Sequence, residues 1–125
     1  MTSRDAAELP ESLAGPARAL LDAMERAGAL KEREREPVLR LLRTALEATH
    51  AAARALERRP NGFPPPEALA GWSHSLREPL TTVVAWVQML RMPLDEAKLA
   101  QGRATIERNV ATLVRLLGEP PGAAS

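Results

Sequence analysis

Residues 69–90 read LAGWSHSLREPLTTVVAWVQML, and within this stretch Leu69, Leu76, Val83 and Leu90 recur at every seventh position. Trp72, Pro79 and Trp86 keep the same interval on the adjoining line. Seven residues carry a helix through almost two whole turns, so such a repeat marks a helix that packs along one seam against a neighbour. Leu80, Val84 and Val87 widen the stripe, so a single neighbour does not satisfy it.

The sequence downstream supplies the first neighbour. After the short break Met92-Pro93-Leu94, Asp95 is placed to cap a further helix, in which Leu99, Ile106 and Leu113 form one apolar line and Val110 and Leu117 the next. Two long helices joined by so short a loop pack antiparallel. Val114 and Leu116 broaden the face of this helix too, so the hairpin needs a further pair of helices. A second copy would supply them in a homodimer built as a dimeric four-helix bundle, the arrangement expected here. The alternative is a monomeric bundle in which two N-terminal helices fold back.

Upstream, Leu13, Ala17, Leu20, Met24 and Ala27 recur at helical spacing, and Gly28 follows as a helix terminator. A second amphipathic helix is predicted from Glu36 to Arg58, with Pro37 in its first turn and Val38, Leu42, Ala45, Thr49, Ala52 and Leu56 on one stripe. The preceding KERERE reads as a solvated charged stretch. His50 lies beside the second stripe without a neighbouring acid or histidine partner and reads as a boundary residue.

The chain thus divides into an N-terminal helical region (1–58), a proline-rich connector RPNGFPPP (59–66) with a turn signal at Asn61-Gly62, the hairpin (67–118) and a tail (119–125). The fold class is all-α. Alanine, leucine, arginine and glutamate dominate, there is no tyrosine, and β-branched residues are few outside Thr81–Val84.

Composition also bears on function. The formal charge is +1 with acids and bases interleaved, so no basic face for nucleic acid stands out. The absence of cysteine excludes disulfides and thiolate chemistry. No run approaches the roughly 18 apolar residues of a membrane span, and the N-terminal MTSRDAAELPES lacks an apolar core; a cytoplasmic protein is expected. Neither a metal nor an organic cofactor is called for, since the two histidines are distant from each other and the glycines are scattered.

His74 falls at the outward f position of the heptad that begins at Leu69, opposite the seam. An accessible imidazole has the free nitrogen needed to attack a phosphoryl group and hold it as a phosphoramidate. Pro79 removes the N–H that would bond the Ser75 carbonyl, and a bend is expected just beyond the histidine.

The order SHSLREPL, then TTVVAWVQMLR, a short turn with LDEAKL, and then TIERNVATLVRLL resembles the dimerisation and histidine-phosphotransfer domain of bacterial sensor histidine kinases. The likeness covers about residues 67–117, and the family's histidine box, close to SHELRTPL, is matched in register at His74, Leu76, Arg77, Pro79 and Leu80. It implies a hairpin that dimerises, His74 as phosphoacceptor, and a role in two-component signalling with a response regulator receiver domain or a partner histidine kinase. Two positions depart from the pattern. The acidic residue that usually follows the histidine is Ser75, which supplies no base, and the threonine or asparagine four residues on is Glu78, which at this spacing faces His74 as an orienting or modulating acid or as a repulsive charge. No ATP-binding domain with asparagine box and glycine-rich lid follows, so the chain is not a complete kinase. The resemblance implies a stand-alone or degenerate phosphoacceptor domain; a helical dimerisation or adaptor protein without phosphotransfer is the alternative.

Overall fold

The computed structural model describes residues 9–59 and 64–121, and these form four α-helices and no strand. They are α1 (Glu11–Ala27), α2 (Glu32–Glu57), α3 (Pro66–Leu90) and α4 (Glu96–Leu117). The turn expected at Asn61-Gly62, the first eight residues and the end of the tail lie outside the described residues.

Helix α1 packs on α2 and α3, and α4 packs on α3 and α2, so around the bundle the order is α1, α2, α4, α3. Side-chain bonds fix the directions. The indole Nε1 of Trp72, early in α3, donates to the Leu116 carbonyl late in α4 at 2.9 Å, as an antiparallel hairpin requires. Ser73 Oγ donates to the carbonyl of Ser12 at the start of α1 (3.2 Å), and Arg33 at the start of α2 meets Glu96 at the start of α4 (2.8 Å). Like ends therefore lie together across the two hairpins.

The seam of α3 is buried as its repeat demands, with Leu76, Val83 and Val87 fully enclosed and Trp72, Pro79, Leu80 and Leu90 nearly so. On α4 the buried line is Leu99, Gly102, Ile106, Val110, Leu113 and Leu117. What covers these faces is α1 and α2 of the same chain, the place that the sequence reading offered first to a second copy. The two halves of the core differ in size. Alanines 17, 23, 27, 45, 52 and 53 are buried on α1 and α2, whereas the buried hydrophobic residues of α3 and α4 include no alanine. Large side chains from one hairpin thus meet a shallow surface on the other, which lets interdigitated packing reach interior density. Each enclosed Leu, Val or Ile stabilises the bundle by roughly 1.5–3 kcal/mol relative to exposure.

Two boundaries differ from expectation. Helix α2 begins at Glu32, not Glu36, and takes in most of KERERE. Glutamate and arginine are good helix formers, and Glu32 and Glu34 stand where the positive end of the helix dipole favours acids. Pro37 therefore sits inside the helix and not in its first turn. At the other end, Pro120 is buried and caps a hollow between the last turns of α2 and α4, so the tail leaves the bundle later than the chain break at Glu119 indicated. Asp95 caps α4 as expected, accepting from the Lys98 N–H at 2.8 Å.

Candidate functional site

Helix α3 sets the geometry of the candidate site. Because Val83 points into the core, the helical period turns His74 to the opposite side, and its side chain is exposed. Glu78, one turn on, is exposed on the same side. Among the described residues neither the His74 ring nor the Glu78 carboxylate has a hydrogen-bond or ion-pair partner, and the two do not bond to each other. Ser75 turns its hydroxyl to the carbonyl of Gly71 (3.1 Å), and Ser73 is committed to α1. The bend expected after the histidine is absorbed within a continuous helix, with Pro79 buried against the core.

Beyond His74 the face changes character. From Pro79 to Leu90 no residue is charged. Here α3 and α1 border a groove of about 940 Å³, lined by Leu80, Val84, Ala85, Gln88 and Met89 of α3 and by Ala19 of α1. Met92, which also lines it, is 58% exposed, and the groove ends at Arg91, whose guanidinium has no partner among the described residues. The exposed imidazole thus lies two turns before a trough that has no charged residue until Arg91 and that His74 itself does not line. Among the described residues no side chain bonds the His74 ring and His74 lines no cavity, so a reaction there draws its phosphoryl donor from a partner surface.

The second histidine has a different setting. His50 is half-buried at the outer edge of α2, its Nδ1 lies 3.1 Å from the Leu46 carbonyl, and it lines a cavity of about 500 Å³ with Leu9, Glu47 and Arg54.

Sequence reasoning missed one charged cluster. Glu34, 3% exposed, lies between α2 and α4 with its Oε1 3.6 Å from Arg103 Nη1 and its Oε2 3.8 Å from Arg33 Nε, and Oε1 makes no hydrogen bond. No signal in the sequence marked it, since the helix was expected to begin only at Glu36 and the acid stands within a run of charges. Together with the Arg33–Glu96 pair it ties the two hairpins at the end of the bundle that holds the α3–α4 turn.

Among the described residues no group of three or more acids, histidines or cysteines could hold a metal ion, and no helix is long and apolar enough to cross a membrane. No family model, curated protein or solved structure matches this chain.

Proposed function

We propose that the protein is a degenerate member of the histidine-kinase dimerisation and phosphoacceptor type, acting in two-component signalling by presenting the outer face of α3 to a receiver domain or a partner kinase. The observation that supports this reading is the continuity of that face: exposed His74 and Glu78 lead directly into the uncharged groove along Thr81, Ala85 and Gln88. A protein that reaches for the imidazole must rest on this surface, and burial of an apolar trough beside a reactive side chain gives it adhesion without competing charge. The bundle in this reading is one chain, with α1 and α2 in place of a second copy.

The test is phosphotransfer with candidate kinases and phosphorylated receiver domains on wild type, His74→Gln and Ala85→Glu. Acid-labile label on the peptide that carries position 74 is expected in wild type, abolished by His74→Gln and reduced by Ala85→Glu. Binding that survives His74→Gln with no label on any form supports the second reading, a helical adaptor without phosphotransfer. That reading is favoured by the lack of any hydrogen bond to His74 and by a Ser75 hydroxyl engaged with its own helix.

A further inference from the structure

We infer that His50 is a second phosphoryl-accepting site, served by an acyl phosphate and independent of His74. A nucleophilic imidazole must be neutral, with its proton fixed on one nitrogen and the lone pair of the other open to the donor. In His50 the Nδ1 lies 3.1 Å from the Leu46 carbonyl, one turn back on α2, and since a carbonyl can only accept, a hydrogen bond here is made by the ring with its proton on Nδ1. Nε2 has no partner among the described residues.

The surroundings add a place for the phosphoryl group. The cavity of about 500 Å³ that His50 lines also takes in Arg54, one turn further along α2. The guanidinium of Arg54 has no ion-pair or hydrogen-bond partner among the described residues, and its fork of donors matches two phosphoryl oxygens. Leu9 forms an apolar wall, and Glu47 supplies an opposing negative charge on the near side. His74 differs in two respects: no carbonyl lies against its ring, and it lines no cavity among the described residues, although Arg77 stands one turn on.

The step balances as follows. The Nε2 lone pair attacks phosphorus, the bond from phosphorus to the acyl oxygen breaks, and the carboxylate departs with that electron pair. The product is an Nε2-phosphohistidine that keeps its Nδ1 proton on the Leu46 carbonyl, and no proton is transferred in the step. A mixed carboxylic-phosphoric anhydride is the fitting donor because it carries its own activation, and one guanidinium is enough to hold the group in flight.

Incubation of the full chain with radiolabelled acetyl phosphate tests the inference. Acid-labile, alkali-stable label on the peptide that carries position 50 is expected in wild type and in His74→Gln, and none on that peptide in His50→Gln. Arg54→Met should slow labelling by at least tenfold, while Glu47→Gln should speed it. Circular dichroism establishes that each variant is folded, and nitrogen NMR of the wild-type ring should show the Nδ1-protonated tautomer. Label lost in His74→Gln and kept in His50→Gln overturns the inference and leaves the proposal for His74 standing. Wild type with no label on the peptide that carries position 50, or an Nε2-protonated ring, overturns it as well.

Discussion

The indole of Trp86 occupies the space that a side chain at position 102 would need: a Cβ on Gly102 would come within 2.7 Å of Cε3 of the ring and 3.0 Å of Leu90 Cδ2. Gly102 is buried in the interior of α4, where glycine is otherwise unfavourable, so the close approach of α3 and α4 explains its presence.

Gly102→Ala sets two effects against each other. Alanine gains about 1 kcal/mol in helix propensity, while inserting a methyl into a filled site costs about 1–3 kcal/mol. The overlap is with a stiff ring and not with the end of a flexible chain, so the second effect wins, and a net loss of about 1 kcal/mol is expected from the urea midpoint. In a Trp86→Leu background the same change should stabilise. Alanine that stabilises in both backgrounds would show that the ring is not what holds position 102 to glycine.

A second tie crosses the same helix pair. Trp72 is 8% exposed and its Nε1 donates to the Leu116 carbonyl in the last turn of α4, which also accepts the Glu119 N–H at 3.1 Å. Trp72→Phe keeps an aromatic ring and removes the donor, and a loss of about 1 kcal/mol is expected. Near-ultraviolet dichroism and a denaturant melt measure it; an unchanged midpoint would mean that water replaces the indole at no cost.

How much of this was legible in the sequence depends on the kind of residue concerned. Leu76, Val83, Leu90, Ile106 and Leu113 declared their burial through spacing, because large apolar side chains at a fixed period have one stable location. Asp95 declared a helix start through its side-chain oxygen. The alanines of α1 and α2 declared nothing about their partner, since a shallow face accepts a helix of the same chain or of another, and periodicity carries no information on which. Glu34 was unreadable for the opposite reason: a charge in a run of charges counts as solvated until the fold supplies Arg103 from a helix far along the chain. The site divides in the same way. His74 faces outward by register alone, whereas the bond from His50 to Leu46 depends on a side-chain rotamer that spacing permits but does not select.

Glu34 also gives a prediction whose sign differs between the two partners. Its carboxylate is 4% exposed, and Arg103, at 45%, is the cation nearest to it. Removal of Arg103 leaves the buried charge with only the exposed Arg33 guanidinium, 3.8 Å from Oε2, whereas replacement of the acid by an apolar group of similar size removes the desolvation burden altogether. Arg103→Met is expected to lower stability by about 1–2 kcal/mol, below the usual 3–5 kcal/mol for a fully buried pair because solvent screens the guanidinium. Glu34→Met should be neutral or stabilising, and Arg103→Met added to it should have little further effect. Thermal melts of the four forms complete the cycle, and a large loss from Glu34→Met would show that the acid is needed at the α2–α4 junction.

The identity of what covers the seam can be decided with one pair of substitutions. Val83 is fully enclosed by its own chain, and Ala85, two residues on, is exposed beside the groove. An aspartate at position 83 would be a buried charge with no partner, a defect of more than about 4 kcal/mol, which is a large share of the roughly 5–15 kcal/mol that holds a domain together. In a bundle made by one chain, Val83→Asp should lose most of its helical dichroism at any protein concentration, with light scattering giving a monomeric mass for wild type and for Ala85→Glu alike. In a bundle made by two chains through the same seam, wild type would instead scatter as a dimer, and the helicity of a weakened seam variant such as Val83→Ala would rise with protein concentration. The alanine-lined face of α1 and α2 argues for the first outcome. Large residues opposed to large residues across a two-fold axis would fill that space differently, and six buried alanines would then have no large neighbours to receive.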